Sequence, residues 1–307
     1  MSVQFDVFGD ILNMIRLSGT VYFRLSFGPG WAMEIQPSPD KMFYIVESGD
    51  CWLKGDFSGS PIPLTEGDIL TFPQGDYHLL SGTPDPGCPR SHAEILEAYQ
   101  TGKQFCQDEE KCTTLVWGHI KFHKNILHPF LRHLPPLIHI RSAERSDVDW
   151  LRSITNKIIQ ESQSPQPGSD VLIDRLAEVL HLYMLRTFML EQAPPDSYWK
   201  VFRDAQIYQV LQHIHSSLAT SWTLESLARE VGLSRTLLAT RFKEKVGMTP
   251  MRYITLWRMQ KALDLLETTT LSTYDVAQRV GYRSEETLTR AFQRQFNTTP
   301  SRARRNI

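Results

Sequence analysis

The sequence predicts an α+β protein with two dissimilar parts, a β-rich first half and an all-α C-terminal domain. Three observations predict this fold class: one sequence pattern occurs twice near the C terminus, net charge changes sign between the two parts, and short alternating apolar runs fill the first half. With 307 residues, the chain is long enough for two domains that each bury a core.

The repeated pattern occupies residues 223–250 and 273–300. Phe242 and Phe292 are 50 positions apart, whereas Gly232 and Gly281 are 49 apart. The second copy therefore carries one extra residue in its turn.

Each copy predicts two helices joined by a tight turn. Apolar residues recur at helical spacing in both copies: Leu224, Leu227, Ala228, Val231, Leu238, Phe242 and Val246 in the first, and Val276, Ala277, Val280, Leu288, Phe292 and Phe296 in the second. Four hydroxyl residues stand at the expected N-caps: Thr223, Ser234, Ser272 and Ser284. Glycine ends the first helix of each pair, so the pattern is that of a helix-turn-helix, present twice.

Charge favours a nucleic-acid partner over an ordinary helical bundle. Residues 221–307 contain 15 Lys plus Arg and 8 Asp plus Glu, whereas the first 220 residues contain 18 and 26. The overall charge of −1 therefore combines a basic module of +7 with an acidic one of −8. Such asymmetry is typical of proteins that bind DNA through one domain.

The two copies and the segment between them resemble the DNA-binding domain of the AraC/XylS family of bacterial transcription regulators. The resemblance includes Tyr253, Trp257, Arg258, Met259 and Ala262 between the copies. Asn297 replaces the usual glycine of the second copy, and asparagine tolerates the same left-handed backbone. The resemblance implies sequence-specific binding to double-stranded DNA, activation more often than repression, and contact with RNA polymerase.

A recognition helix enters the major groove with its first turn nearest the bases. The residues at those positions, which the resemblance also places against DNA, are Arg235, Thr236, Ala239 and Thr240 in the first copy and Glu285, Glu286, Thr287 and Arg290 in the second. We expect Arg290 to contribute most, because a guanidinium can bind guanine bidentately. The alternatives for Arg290 are a phosphate contact or a solvated side chain.

A helix carrying Leu256, Met259, Leu263 and Leu266 is expected to join the copies. In the family, such a helix holds the recognition helices about one turn of DNA apart, ~34 Å. Arg258 on this helix has two open interpretations, a phosphate contact or a structural role inside the domain. The C-terminal Arg302, Arg304 and Arg305 are expected to form a flexible end that binds phosphate without base specificity.

Residues 1–145 are predicted to form a cupin-like β-barrel. Val21 to Phe27 and Trp31 to Ile35 alternate apolar and polar residues, and residues 42–46, 51–53 and 69–72 are further short apolar runs. Gly67, Pro73, Gly75 and His78 match the second cupin motif, so this half resembles the sensory domain of one AraC branch.

The alternative function for this domain is catalysis by a metal-dependent cupin enzyme. Cupin metal sites need histidines in the first motif as well, but residues 41–47 contain none, and His78 with Glu47 is too small a ligand set. We therefore expect no enzyme activity, cofactor or metal. A second metal arrangement, Cys106, Cys112, His119 and His123, does not have a usual zinc spacing, and we expect unpaired thiols there instead.

Four cysteines are too few and too irregularly spaced for a disulfide scaffold, and neither an export signal nor an apolar membrane segment occurs. A cytoplasmic location is expected. Cys88 lies in a turn-rich segment beside Arg90, where a thiolate would be favoured, so it is a possible redox site for an oxidant effector.

Two helices are expected between the halves, in residues 146–196, separated by the segment 162–169. Their apolar residues would pack on the barrel, and the resemblance places homodimerisation there. Residues 197–307 form the predicted DNA-binding domain, which we expect to fold alone. The alternative to an effector-sensing barrel is one that recruits a protein partner without a small molecule.

Overall fold

The computed structural model describes residues 5–15, 18–39, 41–101, 105–106, 112–121, 129–142, 148–164, 166–194 and 198–305. These residues form two compact units. The barrel unit falls within residues 17–121 and 134–190, and the C-terminal unit within residues 1–16, 122–133 and 191–307.

The barrel unit is built from ten described strands. They are β1 (Ser18–Phe27), β2 (Ala32–Ile35), β3 (Lys41–Ser48), β4 (Cys51–Gly55), β5 (Ile62–Leu64), β6 (Ile69–Thr71), β7 (His78–Ser81), β8 (Arg90–Ser91), β9 (Thr113–Lys121) and β10 (Ile138–Ile140). One sheet has the order β1-β9-β3-β6-β10 and the other β5-β4-β7-β2-β8. Neighbouring strands are antiparallel except β2 and β8.

The barrel interior is filled by side chains from both sheets, as expected for strands that alternate inward and outward residues. The core includes Phe27, Tyr44, Phe72 and Trp117, all nearly or fully buried. The predicted α+β class, with an N-terminal cupin-like barrel, is thus confirmed. The second cupin motif forms β6, a turn and β7, and Gly67 and Gly75 adopt the positive φ angles that favour glycine.

Three helices belong to the barrel unit. They are α2 (His92–Gln100), α4 (Val148–Gln163) and α5 (Ser169–Thr187). The two expected helices after the barrel therefore exist, and α5 packs on β1 and α4. Ser146, the expected start of the first helix, lies outside the described residues.

The C-terminal unit contains the remaining helices. They are α1 (Val7–Ile15), α3 (Pro129–Arg132), a 3-10 helix (Tyr198–Phe202), α6 (Ala205–Ser216), α7 (Leu224–Glu230), α8 (Arg235–Val246), α9 (Pro250–Thr268), α10 (Thr273–Arg279), α11 (Glu285–Phe296) and α12 (Pro300–Arg305). The all-α C-terminal fold is as predicted.

Helices α1 and α3 were not predicted, and both cover aromatic residues of the C-terminal unit. Phe8 of α1 contacts Phe130 of α3 and Phe202, with ring centroids 5.8 and 5.7 Å away. Phe130 in turn lies 4.4 Å from Trp199, whose indole N–H donates to the His133 carbonyl. The unit is therefore assembled from three separate stretches of chain.

A buried polar network also joins α1 to the C-terminal helices. The Asp10 carboxylate accepts a 2.8 Å hydrogen bond from His215 Nδ1 and a 2.6 Å bond from Lys261 Nζ. Burial raises the pKa of Asp10, but these hydrogen bonds outweigh burial and hold its pKa below the usual range. Burial lowers the pKa of His215. A neutral His215 then donates from Nδ1 and accepts at Nε2 from the Tyr253 hydroxyl, 2.8 Å away.

The compact units differ from the predicted boundaries of 1–145, 146–196 and 197–307. The described residues before β1 and those of α3 lie with the C-terminal unit instead of the barrel. A fragment of residues 197–307 would lose the cover over Phe202 and His215, and this geometry argues against the expected autonomy of that fragment.

Replacing Asp10 by alanine should destabilise the C-terminal unit. The substitution leaves the buried His215 donor and the Lys261 ammonium without their acceptor, which costs roughly 2–4 kcal/mol. Hydrogen exchange of the α6 and α9 amides in the full chain should accelerate accordingly. Asp6→Ala is the control for loss of a carboxylate at α1, because Asp6 accepts an exposed capping bond from the Gly9 amide, and its smaller cost of about 1 kcal/mol should change the exchange less. Unchanged exchange in Asp10→Ala would show that the network does not stabilise the unit.

Candidate nucleic-acid interface

The two helix pairs have equivalent turns. Gly232 and Gly281 adopt left-handed backbone angles, φ 66° and 83°. In both turns the following residue donates back into the first helix: Leu233 N to the Ala228 carbonyl at 2.9 Å, and Tyr282 N to the Ala277 carbonyl at 2.8 Å. These are Schellman-type endings, and they place a second helix at the same point of each copy.

All four predicted N-caps form. Thr223, Ser234, Ser272 and Ser284 each accept a hydrogen bond from the backbone of the residue three positions later. At Ser272 the serine hydroxyl donates to Asp275 Oδ2 at 2.6 Å, whereas a reciprocal capping box forms at Thr223 with Ser226. Asn297 has φ 54°, so it takes the left-handed conformation as expected.

The apolar faces predicted for the two copies are buried apart from Leu224 and Phe296, which keep partial exposure. Leu238 and Phe242 of α8 and Leu288 and Phe292 of α11 are fully covered. Because one face of each helix is fixed inward, the opposite face is left for a partner.

Seven of the eight predicted base-reading residues are exposed. They are Arg235, Thr236 and Thr240 on α8 and Glu285, Glu286, Thr287 and Arg290 on α11. Ala239 is half-buried against the domain and offers only part of its methyl group. The two recognition surfaces differ in chemistry, since α11 presents charged groups and α8 presents mainly methyl and hydroxyl groups.

Arg235 and Leu237 add detail to the α8 surface. Arg235 Nη1 lies 2.6 Å from Glu225 Oε1 of α7, and both side chains are well exposed. Such a pair is worth at most about 1 kcal/mol, so DNA can displace it. Leu237 was not selected from the sequence, yet it is 45% exposed beside Thr236. The sequence could have indicated this exposure, because Leu237 does not lie on the helix face that contains Leu238 and Phe242.

Arg258 is held inside the C-terminal unit. Its guanidinium donates to the Leu218 carbonyl from Nε and Nη2 at 3.1 and 3.0 Å, and to the Thr220 carbonyl at 2.8 Å. It also lies 5.8 Å from the ring centroid of Tyr282. Of the two roles left open, the geometry favours the structural one over the DNA-backbone contact.

Arg241 of α8 was not selected from the sequence and has a positioning role. It donates to both carboxylate oxygens of Asp204, at 3.0 and 2.9 Å, and to Gln206 Oε1 at 2.7 Å. Asp204 also caps α6 through the Ile207 amide. This bidentate contact fixes α8 on α6 and leaves the N-terminal turn of α8 exposed.

The C-terminal arginines do not form the flexible end that was expected. Residues 300–305 form α12, Ala303 is buried, and the Arg304 guanidinium donates to the Leu271 carbonyl. Thr299 caps α12 as Thr249 caps α9, with 3.4 Å bonds to the amides of Arg302 and Arg252. The repeated Thr-Pro was the overlooked helix signal. Arg302 remains exposed on α12.

In the barrel unit, the groups considered for a metal are already engaged. His78 Nε2 lies 2.9 Å from the Tyr44 hydroxyl, and its Nδ1 lies 2.9 Å from the Asp76 carbonyl. Burial lowers the pKa of His78 to about 4, so the ring is neutral. Glu47 receives two hydrogen bonds from Arg24, at 2.7 and 2.8 Å. Across the described residues, no three His, Cys, Asp or Glu side chains are arranged to hold a metal.

The cysteines differ from expectation at one point. Cys106 and Cys112, expected as unpaired thiols, form a disulfide with Cα atoms 6.3 Å apart, a normal separation for a bridge. The disulfide leaves neither sulfur as a thiolate ligand for the second metal arrangement considered above. His123 of that arrangement lies outside the described residues. Cys51 is a buried thiol and Cys88 an exposed one.

Family models match both parts of the chain. A cupin model matches residues 6–190, and a helix-turn-helix domain model matches residues 227–306. An AraC-like transcription regulator of Streptomyces antibioticus is 30% identical, and the match covers 98% of this chain and 99% of the relative. The chain belongs to the AraC family of transcription regulators. It is a DNA-binding regulator of this type.

The chain is also similar to a further relative and to a solved structure. The HTH-type transcriptional regulator AlkR of Acinetobacter baylyi is 28% identical over 97% of this chain and 99% of the relative. The DNA-binding domain of AdpA, a global transcriptional factor solved in complex with a target DNA, is 30% identical and covers 32% of this chain and 89% of that one, with a TM-score of 0.32. As for membranes, none of the described helices has the length and apolar character of a spanning segment.

Arg290 and Arg302 are matched exposed arginines that separate base reading from backbone contact. If Arg290 reads a base, Arg290→Ala should cost ~1–3 kcal/mol on the specific site and much less on random DNA. Arg302→Ala should weaken both complexes about equally, as a phosphate contact does. Each variant is titrated against operator and scrambled duplexes at one salt concentration. Equal losses for Arg290→Ala would assign it to the backbone.

Proposed function

We propose that this AraC-type regulator is a homodimeric transcription activator whose barrel unit senses an effector. The two complete helix-turn-helix pairs, each with an exposed recognition face, are the observation that carries the proposal. In this reading α11 recognises bases by hydrogen bonds from Arg290, Glu285, Glu286 and Thr287. Helix α8 contributes contacts from Arg235, Thr236, Thr240 and the partly covered Ala239.

Activation implies a contact with RNA polymerase at a promoter, and the protein would act in the cytoplasm. The names of its relatives, which are regulators, support a function without catalysis. The engaged state of His78 and Glu47 supports the same view, because a catalytic metal would need their lone pairs. The alternative proposal keeps DNA binding but assigns the barrel unit to a protein partner.

An exposed apolar stripe supports the homodimer. Helix α5 exposes four large apolar residues in the barrel unit, which we call the α5 stripe: Val171, Leu172, Val179 and Leu182. Val171 is 65% and Val179 42% exposed, although their neighbours Ile173, Ala177 and Leu180 are buried. Exposed apolar side chains on one helix face favour an interaction site, and the Arg175–Glu178 ion pair lies between them on this face. A second copy presents the same stripe, which suits a two-fold interface.

Replacing Val179 by glutamate should dissociate the dimer, because a carboxylate would be desolvated in the apolar interface. Sedimentation of the full chain measures the mass, and a titration measures operator affinity, which should fall with loss of the second subunit. Asn156→Glu on exposed α4 is the control and should leave the mass unchanged. A wild-type chain that sediments as a monomer at all concentrations refutes the dimer, as does a dimeric Val179→Glu variant.

The effector is proposed to be a small molecule or an oxidant acting on the barrel unit. Cys88 is the candidate for oxidation, since it is an exposed free thiol in the turn before β8. Oxidation of Cys88 would change the turn that leads into the sheet edge next to β2.

In vitro transcription from a bound promoter distinguishes the versions of this proposal. Genome-wide mapping of bound sites supplies the promoter. Added protein should raise transcript yield, and peroxide or metabolite arms should change it. Cys88→Ser should remove only the response to peroxide. A lower transcript yield would make the protein a repressor. If no small molecule changes the yield but a protein fraction raises it, the result favours the alternative in which the barrel unit recruits a protein partner. Arg290→Ala is the negative control for specific binding.

A further inference from the structure

The barrel unit contains an open cavity at one rim. Its volume is about 580 Å³, and its walls come from the β1–β2 turn, the segment before β8, α2 and the residues just before β9. This volume is in the range of sites that hold small organic ligands. All of these segments belong to the barrel unit.

Aromatic rings form one side of this rim cavity. Phe27 and Trp31 stack with centroids 4.5 Å apart and an interplanar angle of 19°, and Phe105 lies 5.7 Å from Phe27. Ile95 of α2 adds an aliphatic surface. Flat aromatic faces at a concave site favour a ligand whose body is apolar and planar.

Arg90 is the arginine among the residues that line the rim cavity. Arg90 is exposed, and its Cζ lies 5.9 Å from the Phe105 ring centroid. In the described part of the chain no ion-pair contact joins Arg90 to a carboxylate, although Arg90, after the Ser91 hydrogen bonds, helps to lower the pKa of Glu94. The nearby Glu94 carboxylate accepts hydrogen bonds from Ser91 N and Oγ, at 2.7 and 2.8 Å, and is held by them. The guanidinium is therefore available to a ligand anion at the cavity mouth.

The barrel interior does not compete for the ligand. Phe72 stacks on His78 with centroids 3.6 Å apart, and His78 is hydrogen-bonded to Tyr44. These three residues and the packed core fill the centre, where cupins that bind metals keep open ligands. The rim cavity, in contrast, is open to a small molecule.

We infer that the rim cavity binds an organic monocarboxylate with a planar apolar body, its carboxylate paired with Arg90 and its body against the partly exposed Trp31 and Phe105. Carboxylate and guanidinium match as a bidentate pair, and the aromatic walls desolvate the body. This inference rests on the proposed sensory function and names the class of effector.

Binding at the rim also reaches Cys88, which lines the same cavity. A ligand seated there covers the thiol, so effector occupancy and thiol chemistry exclude each other at this site. The thiol therefore provides a direct readout. Cys51 does not interfere, because burial raises its pKa to about 12, and Cys106 and Cys112 are paired.

The test uses the full chain, with 3-phenylpropionate as the probe and 3-phenylpropanamide as its neutral analogue. Calorimetry measures binding, and the rate of Cys88 alkylation by iodoacetamide measures protection. We expect the acid to bind at least 10-fold more tightly than the amide and to slow alkylation at least 5-fold at saturation. Arg90→Gln should lose the preference for the acid, and Arg90→Lys should retain part of it. Arg175→Gln on exposed α5 is the control and should behave as wild type.

The outcomes separate this inference from the proposed function. Equal affinity for acid and amide, or Arg90→Gln binding the acid as wild type does, overturns the carboxylate assignment. Binding without protection of Cys88 places the ligand elsewhere and also overturns it. Binding with protection but no change in operator affinity supports the site and refutes its role as sensor. Absence of binding by a series of aromatic and alicyclic monocarboxylates overturns the inference, while DNA binding by the same protein leaves the regulator assignment intact.

Discussion

The guanidinium of Arg258 holds together three parts of the C-terminal unit. Their arrangement must be fixed if both recognition helices are to contact the same DNA. The guanidinium joins the linker helix α9 to the carbonyls of Leu218 and Thr220 after α6, and to Tyr282 in the second turn. Gly281 is required beside it, since a Cβ there would lie 2.7 Å from Arg258 Nη2 and 2.8 Å from the Ala219 carbonyl. Lysine could not replace this guanidinium, because one ammonium nitrogen does not provide the two fixed donors that reach the Leu218 and Thr220 carbonyls.

In the barrel unit, the histidine of the second cupin motif and the carboxylate of the first are both hydrogen-bonded to neighbouring side chains. Tyr44 occupies the lone pair of His78 that a metal would use, and Arg24 occupies both oxygens of Glu47. Burial favours the neutral imidazole, and the stacked Phe72 fixes the ring orientation. These polar residues thus stabilise the barrel interior, while exposed polar and aromatic groups lie at the rim.

Local features of this fold are readable from the sequence, and distant ones are not. The caps at Thr223, Ser234, Ser272 and Ser284 were predictable because each depends on residues three positions apart. The cupin motif was readable for the same reason. The role of Arg258 stayed open because its acceptors are backbone carbonyls 38 to 40 positions away, which side-chain identity does not reveal. The exposure of most base-reading positions could be predicted from the apolar face of each helix. The partial burial of Ala239 could not.

Two features that the sequence did not reveal have the same origin. The pairing of Cys106 with Cys112 depends on how the chain bends between them, and spacing alone left it open. The membership of α1 in the C-terminal unit depends on Phe202 and His215, which lie about 200 positions further along the chain. Its apolar residues at 7, 8, 11, 14 and 15 have helical spacing, but that spacing does not say which unit buries them.

The position of α1 has a consequence during synthesis. Asp10 emerges from the ribosome 205 residues before His215 and 251 before Lys261. At bacterial elongation rates of 5–20 residues per second, the interval before His215 is roughly 10–40 s. Val7, Phe8, Ile11, Met14 and Ile15 remain without their final cover for all of that time. Helix α1 is thus translated long before the helices that cover it, and a nascent chain that exposes it offers an apolar segment to chaperones until the second half of the protein arrives.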